Sequence, residues 1–426
     1  MNQRLLREIG LFGLVVYGVG DILGAGIYTL IGAAAGIAGD GLWVAFLLSA
    51  SIALLTGLSY AELATMFPKA GAEYHFVRHG FNSSRVGFIA GWAIIAGSVT
   101  AVATVALGFA GYLEEMTGIP RLLGAFVLIG ALSAVNFVGI RHSTQVNVVL
   151  TLVEVGGLLL VVALGLTAGI DALTPRIPGE PSGIVSAAAL LFFSYLGFEH
   201  IANVAEESRN PEQTVPIALV GAIAISSALY TAVSLSALAL ATPGDLAESS
   251  APLSLVAARV LGASGASLLS VIALLATTNT ALLLLVATSR LVFGMAREGV
   301  LPLALTDINP STRTPGSAVV LLMLLSWAFL PFGTVRVVGS LSSFSALFAF
   351  TLVNAALIGL RYSRPQAERP FRSPVNVGRF PVLALLGALT AAGAALLLEP
   401  AAILTGVAIL AAGLIASFVL PVRPLS

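Results

Sequence analysis

Four acidic side chains of this sequence sit in or at the ends of long apolar runs. They are Asp21 in GVGDILGAGIYTLIG (18–32), Glu62 in YAELATMFP (60–68), Glu154 in NVVLTLVEVGGLLLVV (147–162) and Glu199 in LFFSYLGFEH (191–200). A charge at the centre of a bilayer costs at least about 2.5–3.5 kcal/mol, so an acid held there is a functional candidate by default. A buried carboxyl can bind a cation, or load and release a proton once burial has raised its pKa. Asp21 and Glu199 also flank backbone that a helix disfavours, Gly24-Ala25-Gly26 and Ser194 to Gly197. Each glycine costs about 1 kcal/mol relative to alanine in a helix interior. Irregular backbone at membrane depth survives only where it is buried in protein or lines a cavity. Glu62 differs, because it lies near a helix end where capping or packing accounts for it.

The elements that position these residues are membrane helices. Only 9% of the residues are charged and 58% are hydrophobic, against about 25% charged in soluble domains, and the mean hydropathy is +1.01. Apolar runs long enough to cross a bilayer recur throughout. Twelve are read, at 9–33, 41–66, 86–113, 122–140, 145–169, 183–204, 213–241, 265–295, 316–333, 338–361, 379–398 and 400–420. The roughly ten-residue alternation of a membrane barrel is absent, and the first run is too long and glycine-rich for a cleaved leader. With both ends cytoplasmic, 16 of the 20 Lys and Arg residues face the cytoplasm and 4 (Arg121, Arg176, Arg259 and Arg336) face outward, as the positive-inside rule requires. There is no cysteine, which excludes thiol chemistry and a disulfide-linked accessory subunit. Nothing in the charge balance points to nucleic acid, and no phosphate-binding loop is present.

The two glycine-marked breaks fall in spans 1 and 6. If spans 1–5 and 6–10 are halves of opposite topology, the breaks correspond, which is the sequence pointer to a transporter built from inverted repeats. An unwound helix presents amide N–H groups that favour a carboxylate, and carbonyls that favour an ammonium group or a small cation. A zwitterionic amino acid matches both.

At these residues the sequence resembles the amino acid–polyamine–organocation (APC) transporter family. The likeness is carried by GAGIY (24–28), YAELATMFPKAGAEY (60–74), FFSYLGFEHIANVAEESRNPEQTVPIAL (192–219), SRLVFGMAREGVLP (289–302) and RPFRSP (369–374). It implies an all-α integral membrane protein with twelve transmembrane helices. The implied LeuT-type fold is a 5+5 inverted repeat (1–170 and 171–362), discontinuous at spans 1 and 6, with spans 11 and 12 appended in 363–426. It places the substrate carboxylate on backbone around Ala25, Gly26 and Ile27, and the ammonium group on carbonyls near Phe193, Ser194 and Leu196. Ile22, Gly24, Tyr195 and Gly197 complete the substrate-binding set, and Phe193 takes the place of the aromatic gate, although Phe192 beside it could serve.

Many family members carry a lysine at position 154, whose ammonium replaces a sodium ion and relays protons. This chain has Glu154 there, and its only lysine, Lys69, lies in a loop. A carboxylate has the opposite sign, so Glu154 is expected to carry a proton or bind Na⁺. The fold would bring Asp21, Thr277, Thr278 and Asn279 of ATTNT (276–280) beside it. Two close carboxylates would share a proton. Glu199 is expected to orient the unwound segment by accepting backbone N–H bonds, with Asn203 one turn on, or to titrate during transport. Glu206 and Glu207 are expected to form a gate salt bridge with Arg290 or Arg297. Residues 69–81 read as a short interfacial helix, Pro216 as the start of the seventh span, and 361–374 as a cytoplasmic linker.

The expectation is therefore a secondary active amino acid transporter in a prokaryotic plasma membrane, coupled to protons by symport or exchange. A sodium-coupled symporter and an amine or polyamine exchanger are the alternatives within the fold. A channel would need a continuous polar pore. An intramembrane enzyme would need a nucleophile and base or metal ligands at depth, where His200 is the single candidate. No cofactor or resident metal is expected beyond the Na⁺ alternative. With Glu199 nearly the only fixed charge of the pocket, a neutral or small apolar amino acid is favoured over arginine or a polyamine.

Overall fold

The computed structural model describes residues 9–67, 72–138, 143–175, 180–203, 205, 208–309, 314–332 and 334–420. Lys69, Glu206, Glu207 and the side chain of Asn203 lie outside the described residues. So do Arg4, Arg7, Arg141, Arg176, Arg313 and Arg423 of the charge count.

The chain is built from helices: α1 (Leu11–Ile22), α2 (Ala25–Ala38), α3 (Leu42–Met66), α4 (Ala72–Gly80), α5 (Ser84–Thr117), α6 (Arg121–Val138), α7 (Ser143–Leu166) and α8 (Pro181–Leu191). Then follow α9 (His200–Asn203), α10 (Pro211–Leu240), α11 (Pro243–Glu248), α12 (Pro252–Arg297), α13 (Gly316–Phe329), α14 (Val335–Ser363), α15 (Val382–Ala395) and α16 (Pro400–Val419). Eight helical stretches among the described residues are long and apolar enough to cross a membrane, and four shorter apolar helices accompany them. The chain is an all-α, multi-pass membrane protein.

Three boundaries differ from the sequence expectation. The helix expected from 265 begins at Pro252 and runs to Arg297 through a kink at Gly262. Pro211, not Pro216, opens α10, and Pro216 lies inside the helix. That position costs one backbone hydrogen bond, because proline has no N–H to return to the preceding turn. The linker after α14 carries a two-residue antiparallel pairing, β1 (Asn376–Val377) with β2 (Phe380–Pro381).

The core is a set of helices grouped around the two interruptions. The helix pair α1 and α2 packs on α10 and α8 respectively, while α5 lies against both α12 and α14. Lipid offers no hydrophobic drive between helices, so close packing and hydrogen bonds hold them; Ser342 of α14, for example, donates to the Gly97 carbonyl of α5 at 2.9 Å. An aromatic cluster supports the region after α8. Phe198 packs on Tyr60 and Phe350 with ring centroids 5.7 and 5.4 Å apart, and Phe192 packs edge-on to Phe350 at 5.8 Å. On one flank α11 lies against α2. Its first turn is closed by reciprocal bonds between Thr242 and Asp245, which hold the Asp245 carboxyl below the ordinary carboxylate range.

Glu62 has a structural role, as its position suggested. It is fully buried and accepts from Arg361 at 2.6 Å, Arg369 at 3.1 Å and the Ser373 amide at 2.8 Å. One carboxylate thereby ties α3 to the end of α14 and to the RPFRSP linker. Desolvation at this junction lowers the pKa of Arg369 below the ordinary guanidinium range.

Candidate functional site

The first interruption falls at Leu23 and Gly24. Helix α1 ends at Ile22, Gly24 takes φ −51° and ψ −147°, and α2 starts at Ala25. The first amides of a helix have no partner in a preceding turn. One of them is already taken, because the Ala25 N–H donates to Thr280 Oγ1 at 2.9 Å, while that hydroxyl donates to the Ala276 carbonyl at 3.1 Å. Ala25 and Gly26 thus belong to the first turn of α2 rather than to the unwound stretch.

The second interruption is longer. After α8 the chain makes a 3-10 turn over Phe192–Tyr195, extends at Leu196, and passes through Gly197 at φ +122° before α9. The left-handed value at Gly197 is one that side chains resist. Its amide donates to Glu199 Oε2 at 2.8 Å, so Glu199 holds the unwound segment by its backbone. Tyr230 of α10 joins the two interruptions: its hydroxyl lies 2.6 Å from the Ile22 carbonyl and 3.0 Å from the Ser194 carbonyl, which share its proton.

The two interruptions touch. A Cβ built on Gly26 would stand 2.5 Å from Ser194 Cα, and one on Gly197 would stand 2.8 Å from the backbone of Asp21. Across the same junction His200 Nδ1 lies 2.6 Å from Asp21 Oδ2. Beside this contact is a cavity of about 530 Å³, within the roughly 300–1,000 Å³ of small-molecule sites. It extends from the interruptions to the end of the bundle carrying α4 and the C-terminal end of α12, where Arg290, Arg297 and Glu298 line it. Glu298 lies 3.7 Å from Arg78 of α4 there.

Of the expected substrate residues, Ile22, Gly24, Ala25, Gly26, Phe193, Leu196 and Gly197 line this cavity, together with Asp21 and Glu199. Phe193 faces it, while Phe192 is packed into the aromatic cluster. Ile27, Ser194 and Tyr195 are buried in packing instead. The Tyr195 hydroxyl reaches the Phe46 carbonyl at 3.0 Å, and Ser194 carries a buried hydroxyl with no hydrogen-bond partner.

The acidic group follows the expectation at Asn279 and departs from it at Asp21, Thr277 and Thr278. Glu154 is fully buried and does not line the cavity. Asn279 Nδ2 donates to its Oε1 at 3.2 Å, whereas its Oε2 has no hydrogen-bond partner. Thr277 turns its hydroxyl to the Ala273 carbonyl at 2.6 Å, as threonines in apolar helices do, and Thr278 gives Glu154 no hydrogen bond. Asp21 is engaged by His200 rather than paired with Glu154. Among the described residues no group of three His, Asp or Glu side chains is placed to hold a metal ion.

Four residues at the site were given no transport role from sequence: Thr280, Tyr230, Glu73, and His200, which was noted only as the single histidine at depth. Thr280 closes the ATTNT run and His200 follows Glu199, so each carried a local signal. Tyr230 carried none beyond a hydroxyl in an apolar run. Glu73 of α4 lines the cavity and accepts from the Tyr60 hydroxyl at 3.1 Å. Burial pushes its carboxyl above the ordinary range, against the opposing pull of its hydrogen bonds and of His200.

Comparison with known proteins places this architecture. Residues 9–422 match the amino acid permease family. The branched-chain amino acid permease BcaP of Bacillus subtilis is 30% identical over 407 residues, covering 90% of this chain and 87% of its own. The methylthioribose transporter of the same organism is 30% identical over 396 residues, covering 88% and 85%. The chloroplastic cationic amino acid transporter 9 of Arabidopsis thaliana is 31% identical over 338 residues, covering 73% and 58%. Interrupted helices meeting at a membrane cavity and a match over nearly the whole sequence lead to one assignment: the chain belongs to the amino acid permease family of the APC superfamily.

Proposed function

We propose that this permease, a transporter and not an enzyme, carries a neutral aliphatic amino acid across the plasma membrane by alternating access, driven by protons. The observation that carries the reading is the contact of the two interruptions at one cavity wall. Taking α1 with α2, and α8 with α9, as single interrupted crossings gives twelve spans, with the interruptions in corresponding places of a 5+5 repeat (1–170 and 171–362) and two spans appended. The excess of Lys and Arg in alternate loops puts both termini in the cytoplasm.

The substrate carboxylate rests on the amide of Gly26, since that of Ala25 is held by Thr280 and Ile27 is buried in packing. The ammonium group faces the Leu196 carbonyl and the remaining lone pair of the Phe193 carbonyl, which accepts from the Leu196 amide at 3.1 Å, the Ser194 carbonyl being shared with Tyr230. Phe193 closes over the substrate. The cavity carries more charge than expected, with Asp21, Glu73 and His200 beside Glu199, but Asp21 and His200 engage each other. Ile94, Ala101, Leu284 and Ala346 give the side-chain space an apolar wall, which suits an aliphatic side chain, as the name of the branched-chain relative also suggests. Glu154, buried with an unpartnered oxygen, belongs to the proton path behind the cavity wall.

The test is uptake of a labelled amino acid panel into proteoliposomes under imposed proton or sodium gradients, with Glu154→Gln beside wild type. Proton-stimulated uptake of aliphatic amino acids, weakened in Glu154→Gln, is the expected result. Stimulation by sodium alone, or uptake confined to cationic substrates, refutes the respective part.

A further inference from the structure

The acid on which coupling was expected to rest, Glu154, is sealed from the cavity. A group that exchanges protons with water has to face it. The His200 side chain is 23% exposed and that of Asp21 13%, and both line the cavity. We propose that His200 is the proton-carrying residue of the transport cycle, taking a proton at Nε2 from the cavity and using it to clamp the two interruptions together through Asp21. This rests on the reading of the chain as a proton-driven transporter.

Three features carry it. The first is place. Asp21 lies just before the first interruption and His200 just after the second, so the 2.6 Å contact between them spans both halves of the site. The approach depends on Gly197, where a side chain would strike the Asp21 backbone.

The second is chemistry. Imidazole is the side chain whose unperturbed charge change falls between pH 5 and 8. Nδ1 is committed to the Asp21 carboxylate, which leaves Nε2 as the nitrogen that gains and loses the transported proton. Nδ1–H donates to a carboxylate in either state, and with both nitrogens protonated the contact becomes an imidazolium–carboxylate ion pair, which adds the attraction of opposite charges to the hydrogen bond. Protonation therefore tightens the junction that forms the substrate site, and release of the proton loosens it.

The third is surroundings. Glu199, adjacent in sequence, keeps one oxygen on the Gly197 amide. Glu73 faces the cavity from α4, with Tyr60 of α3 hydrogen-bonded to it. The basic groups of the cavity, Arg290 and Arg297, lie with Glu298 at the far end of α12, and His75 lines the wall on α4. The imidazole thus meets three carboxyls in the wall it shares. Within the cycle, a proton passes from cavity water to Nε2, moves with the loaded substrate, and leaves to water when the site opens on the other side.

The experiment is accumulation of a transported amino acid in proteoliposomes with and without an imposed pH difference, for wild type and His200→Gln. One proton per substrate supports accumulation of about tenfold per pH unit, the equivalent of 1.36 kcal/mol. Wild type is expected to approach that ratio. His200→Gln is expected to equilibrate without accumulating, whatever its rate. A His200→Gln protein that accumulates as wild type does overturns this proposal alone. A wild type that transports without responding to the pH difference overturns the proton-driven reading, and this proposal with it. Should His200→Gln show no transport at all, Asp21→Asn decides: the imidazole stays while its partner loses its charge, so the pH of half-maximal uptake must move by about one unit or more. An unmoved pH profile overturns the assignment.

Discussion

Replacing Gly26 by alanine tests the contact on which the substrate site depends. The added Cβ would lie 2.5 Å from Ser194 Cα and 2.9 Å from both Ser194 Cβ and Oγ. Carbon atoms pack at about 3.5–4.0 Å, so the interruptions must part by roughly 1 Å. The nearest atom is backbone, and no change of rotamer relieves it. Moving Ser194 by that distance also carries its carbonyl from 3.0 Å to about 4 Å from the Tyr230 hydroxyl, beyond hydrogen-bond range. Overpacking of this kind costs about 1–3 kcal/mol and the lost bond about 1 kcal/mol. The better helix propensity of alanine returns at most about 1 kcal/mol. A net loss of about 1–3 kcal/mol is expected, seen as a lower melting temperature in detergent.

The functional effect should be larger than the structural one. Amides and carbonyls moved apart by about 1 Å no longer grip one zwitterion, and a loss of about 1.4 kcal/mol in binding is tenfold in half-saturation. Half-saturation of uptake should therefore rise about tenfold or more. The control is Gly156→Ala, in the middle of α7, where a Cβ meets nothing within 4 Å. As a helix-interior glycine it should gain about 0.5–1 kcal/mol and leave uptake unchanged. If Gly26→Ala melts and transports like the control, the interruptions do not touch and the site proposed at their junction is wrong.

Three further outcomes are expected. Glu62→Ala leaves Arg361, only 3% exposed, without its 2.6 Å partner; breaking a buried pair from one side costs about 3–5 kcal/mol, and thermal unfolding in detergent measures it. Tyr230→Phe removes the donor shared by Ile22 and Ser194 and should destabilise by about 1–3 kcal/mol; an unchanged melt would falsify the bridging role. Glu73→Gln tests a sign. Burial raises the folded-state pKa of Glu73 above 4.5, so the folded protein binds more protons, and wild type loses stability as pH climbs from there towards the raised value. Glutamine does not titrate, so the melting difference should favour the variant increasingly with pH and vanish in acid; a difference independent of pH refutes the shift.

The helices were legible because lipid leaves little choice. A run of about 20 apolar residues has one stable way to satisfy its backbone, and the helices observed follow the apolar runs to within a few residues at most ends. The exceptions have local causes. Proline is suited to the first helical position, and Pro211 took it ahead of Pro216. The span expected from residue 265 starts earlier because its apolar run passes a kink at Gly262. The pairing at 376–381 left no alternation long enough to read.

The interruptions were legible as glycine clusters, but their partners were not, and the partners decide what each atom can do. Ala25 is 255 residues from Thr280, Asp21 is 179 from His200, and Ile22 is 208 from Tyr230. No local pattern encodes contacts of that range. Sequence could say that a broken helix offers N–H and C=O groups; only the fold says which are already spent. The same holds for the acids. Glu62 was set apart by its place near a helix end and is matched by two arginines. The other three stood out alike by the cost of burying charge, yet Glu199 is matched by a backbone amide and Asp21 by an imidazole, while Glu154 keeps one oxygen unpartnered. Exposure to the cavity then separates them again. Asp21 and Glu199 line it with His200, and Glu154 does not. On the proposed proton-driven reading, a proton drawn from water reaches the cavity-facing histidine junction before any sealed carboxyl, and the packing sets that order.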